Sequence, residues 1–266
     1  MSVKLIADKQ KRSLMTINRE INRLLSRPPR IEINPHTKAH LLIDGTFFKR
    51  TNCLILYYDS DLKYSQLYRY STREIKEEII KDLRLLKRFG IVIESVTADG
   101  KNAVKTALKR VYPEAVFQRC LVHIQRYAET YIRQKPKTKA GIELQETIRR
   151  INFIDSEMAM RTWLCCFSEW KRIYSNFLKE KSFDDDSHYW WYTHRNLRRV
   201  VYHIESALSD MFRYLENKSI PKDTNALESR FTNLKHKFRT HKGLKKEKRE
   251  NYFAWYIYLK NQKKIY

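Results

Sequence analysis

The chain has 266 residues, of which 42% are hydrophobic and 13% aromatic, so it can bury one large core or two modest ones. Its formal net charge of +24 favours a polyanionic partner, and nucleic acid is the first class to consider. Four cysteines are too few for a disulfide scaffold, and no uncharged apolar run approaches the ~18 residues that cross a membrane. These features exclude a disulfide-rich secreted domain and predict a cytoplasmic protein, associated with the nucleoid if its source is bacterial.

Helical and extended patterns alternate over the first part of the chain. Residues 1–38 form a basic lead-in whose helical pattern ends at "RPPR", because paired prolines cannot continue a helix. Three strand patterns follow, "HLLIDGTFF", "CLILYYD" and "LKYSQLYRY", and their short links predict an antiparallel meander. An amphipathic helix then runs over "TREIKEEIIKDLRLLKR" and stops before Gly90, a suitable residue for a left-handed helix terminus.

The next segment alternates strand, helix and strand. "IVIESVTADG" predicts a strand that ends at Asp99, "KNAVKTALKRVYP" predicts a helix, and "AVFQRCLVH" predicts a further strand. A meander followed by this alternation predicts an α/β fold, a mixed sheet flanked by helices. We divide the chain into the lead-in (1–38), the first part of the core (39–130), an all-helical insertion (131–222), and the last helix with a basic tail (223–266).

Two aspartates stand at the ends of apolar strand patterns, Asp44 in "LLIDGTFF" and Asp99 in "VTADG". In a mixed sheet their strands can be neighbours, and two carboxylates brought together repel each other unless a divalent cation lies between them. Glu228, at the start of the last helix, is the third candidate ligand for Mg²⁺ or Mn²⁺. Structural interpretations stay open, because Asp-Gly is a common turn dipeptide and Asn225 with Glu228 fits a capping box.

Three blocks of the chain resemble the signature blocks of Mutator-type transposases and their bacterial insertion-sequence relatives. They are "LLIDGTFF", "SVTADGKNAVKTALKRVYPEAVFQRCLVHIQR" and "TNALESRFTNLKHKFRTHKGL". The resemblance implies an RNase H-like core interrupted by the insertion, with an Asp, Asp, Glu catalytic triad that falls on Asp44, Asp99 and Glu228. The Cys-x-x-His signature of that family falls on Cys120 and His123.

The resemblance implies a DNA transposase that cuts at the ends of an insertion element and transfers the strands into target DNA, as a homo-oligomer on DNA. Such transposases usually carry a substantial N-terminal DNA-binding region. We therefore expect the short lead-in to be the remnant of one, in a truncated or internally started protein. Two other functions stay open: an RNase H-like nuclease that only hydrolyses, and a transposase-derived DNA-binding protein without transposition activity.

Two pairs of residues with ligand-like spacing could together form a zinc site. Cys120 and His123 form the first pair, and His236 and His241 form the second. The alternative is that Cys120 packs in the core and His123 forms a hydrogen bond near the active site. We favour the alternative and do not expect zinc.

Aromatic and basic side chains supply the candidate DNA contacts. Trp190 and Trp191, at the start of an arginine-rich insertion helix, could stack on an unpaired base or pack in the core of the insertion. Residues 235–266 hold 11 Lys or Arg against 2 Glu, which favours contact with the DNA backbone. The predicted backbone contacts are Arg195, Arg198, Arg199, Lys235, Lys237, Arg239, Lys242, Lys245 and Lys246.

Overall fold

The computed structural model describes residues 2–48, 52–239 and 243–262. The helices are α1 (Val3–Gln10), α2 (Leu14–Ser26), α3 (Lys76–Arg88), α4 (Asn102–Val111), α5 (Leu121–Ile132), α6 (Lys139–Arg149), α7 (Glu157–Ile173), α8 (Arg195–Glu205), α9 (Arg213–Glu216), α10 (Asn225–Phe238) and α11 (Lys246–Gln262). The strands are β1 (His36–Phe47), β2 (Cys53–Asp59), β3 (Tyr64–Ser71), β4 (Ile91–Ala98), β5 (Val116–Arg119), β6 (Lys181–Asp184) and β7 (Tyr189–Tyr192). None of the helices within these ranges has both the length and the apolar character needed to cross a bilayer.

Five strands form one mixed sheet in the order β3-β2-β1-β4-β5. The strands β1, β2 and β3 pair antiparallel, with Leu42 opposite Tyr58, whereas β4 and β5 run parallel. Helix α3 precedes β4 and helix α4 precedes β5. A three-stranded antiparallel meander followed by two strands that each come after a helix is the arrangement of an RNase H-like fold. The predicted α/β class is confirmed.

The chain divides into two compact units, Met1–Ile93 with Asn225–Tyr266, and Glu94–Thr224. The predicted lead-in belongs to the first unit, and the predicted insertion lies wholly within the second. The other boundaries that we drew from the sequence stay predictions.

The core of the first unit lies between the meander and the two C-terminal helices. Leu42 on β1 and Leu56 on β2 share one buried cluster with Phe231 on α10 and Phe253 on α11. Residues 246–262 of the predicted basic tail form helix α11. This helix is held in the first unit by Phe253, which is fully buried in the cluster, while Lys246 at its first position is exposed.

The lead-in helix packs on α11 within the first unit. Trp255 Nε1 donates to the carbonyl oxygen of Leu24 at 2.8 Å, and Asn251 Nδ2 donates to that of Leu25 at 2.7 Å. Both carbonyls lie in the last turn of α2, where helix carbonyls lack partners inside the helix. The helix predicted over this segment is confirmed as α2, and the structure adds α1, which the sequence pattern did not indicate.

The second unit has its own core, to which Leu144, Trp163 and Ile204 contribute. The prediction that the insertion is all-helical is wrong, because β6 and β7 pair as an antiparallel hairpin. The four aromatic residues of Tyr189–Tyr192 favour extended backbone, and His188, at φ 50°, accepts the left-handed conformation at the turn.

The last strand of the sheet is shorter than "AVFQRCLVH" predicts. It ends at Arg119, and the next residues turn into α5. The Cys120 N–H donates to the Ala98 carbonyl at 2.8 Å, and the Leu121 N–H donates to the Lys222 carbonyl at 3.1 Å. These long-range bonds begin a helix where the sequence alone reads as a continuing strand.

Candidate active site

Asp44 lies inside a strand. It pairs with Leu56 of β2, and Gly45 pairs with Ile55. The turn interpretation of this Asp-Gly pair is therefore wrong. A Cβ at Gly45 would crowd the sulfur of the fully buried Cys53, at 2.9 Å. One oxygen of Asp44 accepts from the Gly45 N–H at 2.9 Å, and the residue is partly exposed.

Asp44 and the helix that carries Glu228 lie on the same face of the sheet. Side chains two positions apart on a strand point to the same face, so Asp44 shares the face of Leu42. Leu42 belongs to the buried cluster that contains Leu227, the residue before Glu228. One carboxylate oxygen of Glu228 is buried. Helix α10 begins at Asn225, which makes Glu228 its fourth residue and moves it one position beyond the capping-box site.

Asp99, in the second unit, sits in a turn. The strand β4 ends at Ala98, and Gly100 has φ +88°. Asp99 Oδ1 accepts from the Lys101 N–H at 3.0 Å, and Oδ2 pairs with the Lys101 ammonium at 2.9 Å. The turn interpretation therefore describes this Asp-Gly pair. The Asp99 side chain is 16% exposed and the Lys101 side chain is 48% exposed, so its cation is one that a metal could replace.

A different group of ligand-type atoms lies at the other end of β1. Side-chain atoms of His36, Asp59 and Asp61 lie within 4.8 Å of one another, an arrangement that the sequence analysis did not predict. Asp59 is fully buried and accepts from His36 at 2.8 Å, from Gln66 at 3.2 Å, and from the N–H groups of Asp61 and Leu62 at 3.1 Å. Four donors satisfy this carboxylate, so the group is explained as a structural one.

Cys120 and His123 hold the residue that precedes α10. Cys120 is fully buried, its sulfur accepts from the Thr224 N–H at 3.3 Å, and it lies 3.4 Å from the Thr224 hydroxyl. Nδ1 of His123 also lies 3.4 Å from that hydroxyl. Thr224 is itself fully buried. These contacts give both residues of the Cys-x-x-His pattern a role in fixing the chain just before the helix with Glu228.

Of the second pair of candidate zinc ligands, the structure describes one residue. His236 is an exposed side chain on α10, and His241 lies outside the described residues. Cys120 and His123 both contact Thr224, and the expectation that zinc does not bind stays a prediction.

The aromatic hairpin of the second unit is exposed. Trp190 is 41% exposed and Phe183, its cross-strand partner, is 65% exposed. The Lys181 ammonium lies 4.0 Å from the ring centre of Trp190. Trp191 is less exposed and stacks near Tyr189 at 6.2 Å between ring centres. Both tryptophans therefore lie on a hairpin and not at the start of a helix.

The predicted DNA contacts that the structure describes lie on α8, on or beside α10, and on or beside α11. Arg195 and Arg199 are exposed on α8, whereas Arg198 lies 3.6 Å from the ring centre of Tyr192 and donates to the Leu178 carbonyl at 2.9 Å. Exposed side chains on or beside α10 and α11 are Lys235, Lys237, Arg239, Lys245 and Lys246. Lys242 lies outside the described residues.

One charged residue in the second unit was missed by the sequence analysis. Arg119, the last residue of β5, reaches His203 and Ser206. Burial and, to a smaller extent, the nearby Arg119 charge together lower the pKa of His203 to about 4. The sequence signal that could have identified Arg119 is its position in "QRCLVH", between a predicted strand and the Cys-x-x-His pattern.

The strand order and the mixed sheet place the chain among proteins with an RNase H-like fold. Within that class, the model of the transposase IS66 family matches residues 62–243, which is more than half of the chain. The chain belongs to the IS66 family of transposases. The matched range contains Asp99 and Glu228, and Asp44 precedes it.

A transposase for the insertion sequence element IS1201 of Lactobacillus helveticus is 25% identical over 111 residues, 41% of this chain. The match covers 29% of the length of that relative. A solved chain of the simian T-cell lymphotropic virus intasome in complex with PP2A regulatory subunit B56 gamma is 14% identical. It is matched over 58% of this chain and 70% of its own length, with a TM-score of 0.25. The predicted membership of a transposase family is confirmed, and the Mutator-type assignment is not.

Proposed function

We propose that this chain is a metal-dependent DNA transposase that cuts at insertion-element ends and joins the cut strand to target DNA. In this proposal Asp44, Asp99 and Glu228 are the metal ligands. The family membership supports the activity. The observation that carries the site is Asp44, a carboxylate placed within a strand, on the sheet face that the helix with Glu228 covers. A cation can reach Asp44 at this position, because the residue is partly exposed.

The donor atoms fit the proposed ion. Mg²⁺ and Mn²⁺ are hard cations that prefer carboxylate oxygens, and the buried Glu228 oxygen and the Asp99 oxygens are donors of that kind. Such ions, when bound, stabilise the attacking and leaving oxygens of an in-line phosphodiester displacement. The Lys101 backbone N–H holds Asp99 in a tight turn. The carboxylate therefore keeps its orientation when the Lys101 ammonium moves away from it.

DNA is the proposed partner, with a homo-oligomer assembled on it. The exposed cations on α8, α10 and α11 would contact the phosphate backbone, which positions DNA without reading its sequence. Trp190, which is 41% exposed on a hairpin beside Lys181, would stack on an unpaired base at the element end.

The test is a cleavage and strand-transfer assay with purified protein and a duplex that carries the element end. Mg²⁺ or Mn²⁺ should produce a cut at the end and a product joined to a target plasmid. Cutting without joining would indicate a nuclease. Binding without metal-dependent cutting would indicate a DNA-binding derivative of a transposase.

A further inference from the structure

Arg119 lies across the turn that holds Asp99. In the parallel pair β4 and β5, Arg119 is opposite Ala98, the residue before Asp99. A Cβ at Gly100 would clash with Nε of Arg119 and would lie 2.9 Å from the carbon of its guanidinium group. The absence of a side chain at Gly100 therefore lets the guanidinium pass close to the backbone next to Asp99.

The guanidinium is held by neutral groups. Nη2 lies 3.1 Å from the ring nitrogens of His203, and Nη1 donates to the Ser206 hydroxyl at 3.2 Å. The His203 ring stacks on Tyr127, with 3.7 Å between ring centres. Because burial keeps His203 unprotonated near pH 7, its ring can accept a hydrogen bond from the cation.

The positive charge of Arg119 has no ion-pair partner among the described residues. The two nearby carboxylates pair with other cations, Asp99 with Lys101 and Asp210 with Lys105. Nε of Arg119 is buried and makes no hydrogen bond. Burial lowers the pKa of Arg119, while the charges of Asp99 and Asp210 act in the opposite direction. A partly buried cation that lacks a paired anion is costly for folding alone, and a bound anion would offset that cost.

We propose that Arg119 binds a phosphate of the DNA strand presented at Asp99, and that His203 and Ser206 are positioning residues for its guanidinium. This inference rests on the proposed function, because it assigns DNA as the source of the phosphate. Each terminal nitrogen of Arg119 keeps one N–H beyond those used by His203 and Ser206. Such a pair of donors matches two oxygens of one phosphate.

The experiment is a binding titration with duplexes of the element end, in each of which one phosphate is replaced by an uncharged methylphosphonate. Measurements without Mg²⁺ keep binding separate from cutting. The wild-type protein should lose about tenfold in affinity at one or two phosphates near the cut site. Arg119→Ala should bind unmodified DNA about tenfold more weakly and lose nothing further at those phosphates.

Arg161→Ala is the matched control, since it removes the same charge from an exposed side chain on α7 that pairs with Glu157. It should keep the wild-type profile. Arg119→Lys keeps the charge without the fork and should lose most of the preference for those phosphates. His203→Gln, which keeps an acceptor, should lose less than His203→Ala at the same phosphates.

An Arg119→Ala protein with the wild-type profile overturns the proposal, as does a wild-type profile without any sensitive phosphate. If Arg119→Ala does not fold, Ser206→Ala and His203→Ala report on the same phosphates, and an unchanged profile in both is contrary to the proposal. Failure of the proposed function would appear separately, as absence of metal-dependent cutting by protein that still shows the phosphate profile.

Discussion

Two aspartates each end an apolar strand pattern, and the structure gives them different surroundings. Asp59 closes β2, is fully buried, and accepts from four donors in the first unit. Asp99 follows β4, is 16% exposed, and is bound by one residue, Lys101, through its N–H and its ammonium. In the sequence the two look alike, as "LYYDS" and "VTADG".

The difference separates a structural carboxylate from one available for chemistry. The lone pairs of Asp59 are taken by donors that belong to the fold, so a ligand would have to break several hydrogen bonds to reach it. Asp99 needs to lose only the flexible Lys101 side chain, an ion pair of the exposed kind that contributes little stability. The group around Asp59 is singled out by the short distances between its ligand-type atoms. For finding a metal site, those distances are therefore a weaker guide than the number of hydrogen bonds that each carboxylate already accepts.

The largest effect is expected at the proposed metal ligands. Asp99→Asn, Asp44→Asn and Glu228→Gln should each abolish metal-dependent cleavage, and combining them should add nothing, because all three serve one step. Melting temperature without metal should stay level or rise slightly, since a neutral residue relieves repulsion between carboxylates. Cleavage assays and thermal melts of the three variants check this.

Glu228→Gln is the sharpest member of this set. If it melts lower than the wild type yet cuts at the same rate, Glu228 stabilises the start of α10 and is not a metal ligand.

Higher ionic strength should weaken DNA binding and should leave the stability contributed by the hydrogen bonds of Asp59 unchanged. With about six phosphates neutralised, affinity should fall roughly 10³-fold between about 50 and 200 mM salt. Fluorescence anisotropy at several salt concentrations measures this slope, and urea unfolding at the same concentrations is the control. A flat binding titration would remove the argument from the net charge of +24.

Removal of the Asp59 carboxylate should affect the stability of the fold and not the chemistry. Asp59→Ala leaves His36, Gln66 and two backbone N–H groups without their acceptor, so we expect a loss of about 3 kcal/mol in the free energy of unfolding. Asp59→Asn keeps one acceptor oxygen and should lose less. Urea unfolding checks both, and a stability equal to the wild type would show that Asp59 is not the structural member of the pair.

Low pH should reduce the stability that His203 contributes next to Arg119. The pKa of His203 is lowered from 6.5 to about 4 in the folded chain, so the unfolded chain binds the extra proton first. Stability contributed by the neutral ring is complete above about pH 6.5 and is lost as the pH falls toward 4. His203→Gln should therefore lose less melting temperature than the wild type between these values. An identical loss in both proteins would assign the acid sensitivity to other groups.

The smallest effect is expected from chelation. The hydrogen bonds of Asp59 and of Cys120 are complete without a metal, so chelator-washed protein should keep its melting temperature. Metal analysis should find less than about 0.2 Zn per chain. Zinc near one per chain, lost together with stability in Cys120→Ser, would restore the zinc interpretation.

Periodicity in the sequence was enough to predict the meander, the helix α3 and the end of that helix. Gly90 has φ 80° two positions after Arg88, as expected for a glycine that terminates a helix. The candidate carboxylates could also be found, because an ionisable residue beside a buried apolar run is visible without coordinates. The helical pattern of "HRNLRRVVYHIESALSDMFRYLE" is confirmed in part, because the structure divides it into α8 and α9.

Contacts between distant parts of the chain decided the rest. One Asp-Gly pair lies in a strand because Gly45 pairs with Ile55 of β2, whereas the other follows the end of β4, where Gly100 has a positive φ. Local propensity could not show that β5 stops at Arg119, because the bonds that start α5 come from residues far away in the sequence. Composition, periodicity and charge are local properties of the chain. The surroundings of Asp59, Asp99 and Arg119 are not, because hydrogen bonds and burial are set by side chains that only the tertiary structure brings together.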